Sequence, residues 1–182
     1  MTKYTVLFVD DEPNILRALV RLFHGDHINI LTASSGDEAL EIMRNKKVQV
    51  LVTDNLMPGM QGVELVRRAR DIFPDMIRII LSGHSDLEAV LKAVNESEVF
   101  RFVLKPWTDA DLKATVHIAL AQYGLQEDID RLKSDLAEKD RLIRYLTNRH
   151  PDLFKSLPDH PEYEIESGAS TATAEAITEG KS

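Results

Sequence analysis

Short apolar runs alternate with amphipathic ones as far as about residue 123, and that alternation predicts most of the elements. Thr5–Val9 is an apolar run that stops at Asp10-Asp11 and reads as a strand. Pro13 then opens a helical pattern through Ile15, Leu16, Leu19, Val20, Leu22 and Phe23. Its missing N–H costs nothing in a first helical turn. Ile28–Ala33 alternates like a strand, and Ser35 with Glu38 makes a capping box before a helix carrying Ala39, Leu40, Ile42 and Met43. Val48–Thr53 is a third strand ending at Asp54, and a helix follows from about Gly62 to Ile72. Met76–Leu81 is a fourth strand, with a helix near Asp86–Asn95 behind it. Phe100–Leu104 is a fifth, and Thr108 with Asp111 caps the last helix of this region.

Five such β–α units with short links predict an α/β fold with a doubly wound parallel sheet, because each return to a parallel strand needs a crossover helix. Near-continuous apolar strands fit a sheet covered on both faces. Ligands of open α/β sheets sit outside the carboxyl ends of the strands. The residues there are Asp10-Asp11-Glu12, Asp54, Ser82 and Lys105. Carboxylates converging on one point repel and lose solvation, so they call for a cation. All-oxygen donors suit Mg²⁺, which keeps several waters and takes one or two carboxylates. An ammonium from Lys105 and a hydroxyl from Ser82 complete a set suited to holding a phosphoryl group while a carboxylate attacks it.

Four separated motifs carry a resemblance. They are Val9-Asp10-Asp11-Glu12-Pro13, the run from Asp54 to Gly62 (DNLMPGMQG), Leu81-Ser82-Gly83-His84, and Phe102-Val103-Leu104-Lys105-Pro106-Trp107. Over about residues 3–123 the chain resembles the receiver domain of two-component response regulators. That resemblance implies a flavodoxin-like five-stranded sheet of order 2-1-3-4-5. It also implies that Asp54 accepts a phosphoryl group from a sensor histidine kinase, with Mg²⁺ held by Asp10, Asp11, Asp54 and the Leu56 backbone carbonyl. Lys105 and Ser82 are implied as phosphoryl-binding residues, and Phe102 occupies the aromatic switch position. Serine stands at 82 where threonine is commoner, keeping the donor but dropping a methyl group. Phenylalanine stands at 102 where tyrosine is common, so an inward ring gains packing alone. Leu56 and His84 flank the site, which suggests that they tune acyl-phosphate lifetime by restricting the attacking water. The other histidines, His24, His27, His117, His150 and His160, lack metal spacing and read as surface residues.

Composition narrows the partners. The 182 residues include no cysteine, which excludes disulfides, thiolate metal sites and cysteine nucleophiles. The net charge of −8 argues against nucleic acid as a partner, since duplex binding relies on Lys and Arg. No apolar run approaches a membrane span, and the first apolar run ends in aspartates unlike a signal peptide, so a cytoplasmic location without membrane association is expected. The charge is also uneven: −3 over residues 1–124, 0 over 125–150 and −5 over 151–182. The domains expected are a receiver over 1–123, a helical coiled-coil extension over 124–150 and an acidic disordered tail over 151–182, rich in Pro and then in Ser, Thr, Ala and Glu.

Beyond Tyr123 a second pattern begins. Leu125, Ile129, Leu132, Leu136, Ile143 and Leu146 fall on a heptad seam interrupted once, at Lys139. Gly124 sits at the junction as a soft joint. Acid-before-base spacings (Glu127–Arg131, Asp135–Lys139, Asp140–Arg144) favour a long exposed helix. A parallel homodimeric coiled coil is the favoured solution, with mixed flanking charges. Folding back onto the receiver and docking on an unidentified downstream protein are the alternatives.

The 32 residues from Pro151 lack the length, basic charge and periodicity of a DNA-reading helix-turn-helix. The Lys105-Pro106-Trp107 ending is similar to receivers joined to metal-dependent phosphohydrolases, yet no His-Asp dipeptide occurs. The expectation is thus a phosphoacceptor switch, not an enzyme acting on other substrates, that signals through its helix. The rivals are an aspartate-based phosphatase, a dimerisation scaffold with a vestigial receiver, and a fragment of a larger regulator. The phosphatase is disfavoured because Leu56 stands where a second acid is typical.

Overall fold

The computed structural model describes residues 4–83 and 99–151. Five strands, β1 (Thr5–Val9), β2 (Asn29–Ala33), β3 (Val50–Asp54), β4 (Ile77–Ser82) and β5 (Arg101–Leu104), pair in parallel in the order β2-β1-β3-β4-β5. The helices described are α1 (Pro13–Leu22), α2 (Gly36–Asn45), α3 (Gly62–Ile72) and α4 (Asp109–Arg149). The expected helix near Asp86–Asn95, His84, His160 and nearly all of the expected tail lie outside the described residues.

Apolar runs become central strands because both faces of the sheet are covered. Leu7, Val9, Leu51 and Ile80 pack to one side with Ala39, Leu40 and Met43 of α2 and Leu65, Val66 and Ala69 of α3. The alternate residues Val6, Phe8, Val50, Val52, Ile79 and Leu81 pack to the other side. They meet Leu19 of α1 and Leu112, Val116, Ala119 and Leu120 of α4. Val6, Leu7, Phe8, Val50, Leu51 and Val52 are fully buried, which is why these strands do not alternate polar with apolar.

Local signals set the helix ends. The Ser35 hydroxyl accepts the Glu38 N–H at 3.3 Å, as a capping box requires. The return bond is displaced by one residue: Glu38 Oε2 accepts the N–H and the hydroxyl of Ser34, both at 2.7 Å. Thr108 Oγ1 accepts the Asp111 N–H at 3.1 Å and starts α4.

The chain divides into two units, Met1–Asp135 and Leu136–Ser182. In the first, the buried residues of α4 end at Tyr123, whose ring meets Tyr4 edge-on at 5.7 Å between centroids. A Cβ on Gly124 would lie 2.9 Å from the Tyr4 hydroxyl, so glycine here accommodates an aromatic neighbour inside a helix that continues without a break. Lys47 Nζ reaches Glu127 Oε1 at 3.0 Å. Glu127 therefore pairs across the fold, not with Arg131, which takes Asp128 at 2.9 Å instead. In the second unit the helix continues to Arg149, and Leu136, Leu142, Ile143, Tyr145 and Leu146 are all exposed.

Candidate functional site

Strand register brings the strand-end residues to one edge of the sheet. Val9 pairs with Thr53, Asp54 with Leu81, and Ser82 with Leu104, so Asp10, Asp54, Ser82 and Lys105 lie on neighbouring levels. Hydrogen bonds beyond the strands fix the exits. The Asp10 N–H donates to Ala33 O at 3.2 Å, the Asn55 N–H to Leu81 O at 3.0 Å and the Lys105 N–H to Ser82 O at 2.8 Å.

Lys105 is the hub. Its Nζ stands 2.6 Å from Asp54 Oδ1 and 3.3 Å from Asp10 Oδ2. The two carboxyl side chains are almost closed to solvent, at 1% for Asp10 and 9% for Asp54, whereas that of Lys105 is 28% exposed. Lys105 Nζ also lies 5.8 Å from the Trp107 ring centroid, a cation–π contact. Burial pushes the Asp10 carboxyl above the usual carboxylate range; the Glu12 N–H and Lys105 oppose the rise, and the Asp54 charge adds to it. Burial acts to lower the Lys105 ammonium, but the two carboxylates outweigh it and hold the group above its ordinary value. Two buried carboxylates share one ammonium, so the pocket carries an excess of negative charge.

The other expected site residues fall around this hub. Asp11 is exposed. Ser82 is buried and its hydroxyl donates to Gly83 O at 3.0 Å rather than toward Asp54. Leu56 is 53% exposed beside the strand end, and Phe102 is half-buried against the α2–α3 side of the core. Among the described residues no three His, Cys, Asp or Glu side chains stand close enough together to hold a metal ion. The donors that do converge are all oxygen, few and under-neutralised, which fits Mg²⁺ with a largely water-filled coordination sphere.

Two residues that sequence reasoning left without a role shape the pocket. A Cβ on Gly62 would stand 2.2 Å from the Asp54 carbonyl oxygen, so only glycine lets α3 begin against the end of β3. Asn55, just after Asp54, accepts the Gly62 N–H on its carbonyl at 2.9 Å and the Val63 N–H on its side chain at 3.2 Å. It thereby supplies the α3 cap that Gln61 does not. Both residues lie in the run that carried the resemblance, but a glycine eight residues after a strand gives no signal of such an approach.

His24, His27, His117 and His150 are all exposed, and His117 Nε2 also lies 3.0 Å from Asp26 Oδ2. Asp26 also takes Lys113 Nζ at 3.1 Å, tethering the α1–β2 link to α4.

A family model described as the response regulator receiver domain matches residues 6–117. The hydrogenase transcriptional regulatory protein HoxA of Cupriavidus necator is 38% identical over 140 residues, covering 77% of this chain and 29% of HoxA. The DNA-binding transcriptional regulator NtrC of Escherichia coli is 32% identical over 127 residues, covering 70% of this chain and 27% of NtrC. The chain thus spans less than a third of the length of these relatives. Among solved structures, a response regulator receiver domain protein from Clostridium thermocellum matches with a TM-score of 0.64 and 34% identity. That match covers 68% of this chain and 98% of that one. The signal receiver domain of an HD domain-containing protein from Pseudomonas fluorescens matches with a TM-score of 0.65 and 29% identity, with the same coverages.

Proposed function

The chain belongs to the response regulator receiver domain family, and on that footing we propose that it is a phosphorylation-controlled switch with Asp54 as its phosphoacceptor. The observation that carries this reading is the convergence of the buried Asp10 and Asp54 carboxylates on Lys105 at 3.3 and 2.6 Å. A sensor histidine kinase is the donor implied by the family. The Asp54 carboxylate oxygen attacks phosphorus as the phosphohistidine N–P bond breaks; the imidazole leaves and takes up a proton. Mg²⁺, when bound, supplies positive charge to the phosphoryl oxygens, and Asp10, Asp11, Asp54 and the Leu56 carbonyl are the groups that would hold it. Lys105 pairs with the same oxygens. Ser82 must leave Gly83 O to donate to them, which makes its rotation part of the switch. Phe102 responds by packing, and Leu56 with His84 sets the lifetime of the acyl phosphate.

The switch acts through α4. Its first turns pack on the sheet through Leu112, Val116 and Leu120, and the exposed seam follows. The seam pairs two copies, or binds a downstream protein. No helix among the described residues is long and apolar enough to cross a membrane. The transcriptional names of HoxA and NtrC favour a second reading, in which the switch governs a DNA-binding output.

Intact mass after treatment with a small phosphodonor and Mg²⁺ tests the core of the proposal. One phosphoryl group is expected on the wild type and none on Asp54→Asn. Uptake by Asp54→Asn at the wild-type rate overturns it. A mobility-shift assay on the phosphorylated chain separates the two outputs, since the first reading expects no DNA affinity.

A further inference from the structure

The exposed seam of α4 has a charge pattern that selects one way for it to be covered. Leu125, Ile129, Leu132 and Leu136 are 61, 45, 62 and 61% exposed, and Ile143 and Leu146 are 52 and 40% exposed. Ile129, Leu136 and Ile143 take the a positions of the heptad, and Leu125, Leu132, Lys139 and Leu146 take the d positions. The flanking e positions then hold Lys133 and Asp140, and the flanking g positions hold Asp128, Asp135, Leu142 and Arg149. Among the described residues, Lys133, Asp135, Lys139 and Asp140 make no ion pair. These four charges are thus uncommitted.

A parallel, in-register pair uses this pattern badly. Asp128 meets Lys133 of the second copy, but Asp135 meets Asp140, and each Lys139 stacks on its equal at a core layer. Two like-charge contacts and a buried lysine pair offset the attraction. Reversing one helix changes every contact. With Leu136 opposite Lys139 of the second copy, Ile129 faces Leu146 and Leu132 faces Ile143, giving six core layers by symmetry. Each Lys139 now lies against an apolar neighbour, along which its stem packs while the ammonium reaches water. The e positions pair Lys133 with Asp140, twice. The g positions pair Asp128 with Arg149, twice, and Asp135 with Leu142. No like charges meet. Sliding by one heptad in one direction sets Lys133 against Lys133, and in the other direction Asp140 against Asp140. One register alone satisfies the charges.

We infer that α4 from Leu125 to Arg149 is an interface for a second copy of this chain, paired antiparallel with Leu136 opposite Lys139. The inference rests on the proposed self-pairing of α4 and departs from the parallel arrangement expected from the heptad alone. Arg149 must give up its 2.7 Å bond to the Tyr145 hydroxyl, and Asp128 its exposed pair with Arg131, or share them. Both are solvent-facing contacts of small worth.

The absence of native cysteine makes the test clean. Ile129→Cys and Leu146→Cys are made separately in the full chain, oxidised alone and as an equimolar mixture, and read by non-reducing electrophoresis, with light scattering for oligomeric state. The antiparallel register faces Ile129 with Leu146, and it separates the two Ile129 positions by about 25 Å along the helix. The expected result is a disulfide-linked dimer in the mixture, at least tenfold more abundant than in either variant alone. Each variant cross-linking to itself as readily as the mixture overturns the inference in favour of parallel pairing and leaves self-pairing standing. A dimer by scattering that cross-links in none of the samples overturns the register. A monomer at every concentration overturns both the inference and the self-pairing on which it rests.

Discussion

The pocket at the strand ends and the seam of α4 are opposites in composition and alike in energetics. One buries charge: Asp10 is fully shielded and Asp54 nearly so, with a single ammonium between them. The other exposes apolar surface, with Leu125, Leu132 and Leu136 each at about 60%. Each group sits in the medium that suits it least. Charges lose hydration in the pocket, and hydrocarbon stays in water along the seam. Neither arrangement makes the isolated chain more stable, and in each case the missing complement can be read from what is left uncompensated. On the proposed reading, a cation and a phosphoryl group would meet the carboxylates and the lysine, and another apolar stripe would meet the leucines.

Four variants would break or sharpen that contrast. The largest effect is expected from Gly62→Ala, which puts a methyl group 2.2 Å from the Asp54 carbonyl oxygen. The backbone must shift, at a cost of about 2–3 kcal/mol, and thermal denaturation should show a Tm lower by roughly 10 °C. Phosphoryl uptake should slow with it, since the displaced segment carries the proposed acceptor, Asp54. On the seam side, Leu132→Asp with Leu136→Asp should leave the receiver's Tm within about 2 °C, because both residues are solvent-facing. The same pair should weaken any self-association at least tenfold in sedimentation equilibrium, and a large Tm loss would show that the seam is packed in the monomer.

Asp10→Asn should do what few functional-site substitutions do and stabilise the chain. The folded-state pKa of Asp10 lies above its ordinary value, so the folded state binds more protons than the unfolded one and stability falls as pH rises through the carboxylate range. The variant escapes that loss and keeps an oxygen for the Glu12 N–H. In chelator at neutral pH it should gain on the order of 1 kcal/mol, converging with the wild type in acid. A Tm below that of the wild type at neutral pH would refute the view of the pocket as under-neutralised. The smallest effect belongs to Asp26→Asn. Burial opposes the charged form of Asp26, but Lys113 and His117 outweigh it and hold its pKa below the usual value. The stability it adds is present above the unfolded carboxylate pKa and is lost as pH falls through the folded one. Chemical denaturation should show a deficit of about 0.5 kcal/mol at neutral pH that vanishes in acid.

The sheet was legible because its signal is composition. Val6–Val9 and Val50–Val52 are apolar without interruption, and only a strand covered on both faces tolerates that. The site followed, since each residue just past a strand is caught by a neighbouring strand's carbonyl, and no side-chain detail was needed to place Asp10, Asp54 and Lys105 together. What stayed hidden depends on approach distances between segments distant in sequence. Gly62 reads as a helix-opening glycine until the Asp54 carbonyl is found above it, and the sequence gives no sign that Gly124 lies against Tyr4. Glu127 matched a spacing rule with Arg131, yet Lys47, 80 residues away, claimed it. Spacing rules describe an isolated helix, and the tertiary partner overrides them.

The acidic turn after β1 also bears on how the chain survives its own synthesis. β1 pairs with β2 and β3, and β3 ends at Asp54. Some forty residues must therefore follow β1 out of the ribosome before both of its edges are covered. Until then Val6-Leu7-Phe8-Val9 is a bare, β-prone segment open to its copies on neighbouring nascent chains. Asp10, Asp11 and Glu12 follow it immediately, three like charges that repel any in-register stack of such segments. Asp10, which ends up buried in the pocket, would thus act first with its two exposed neighbours as a gatekeeper of solubility, before there is a pocket.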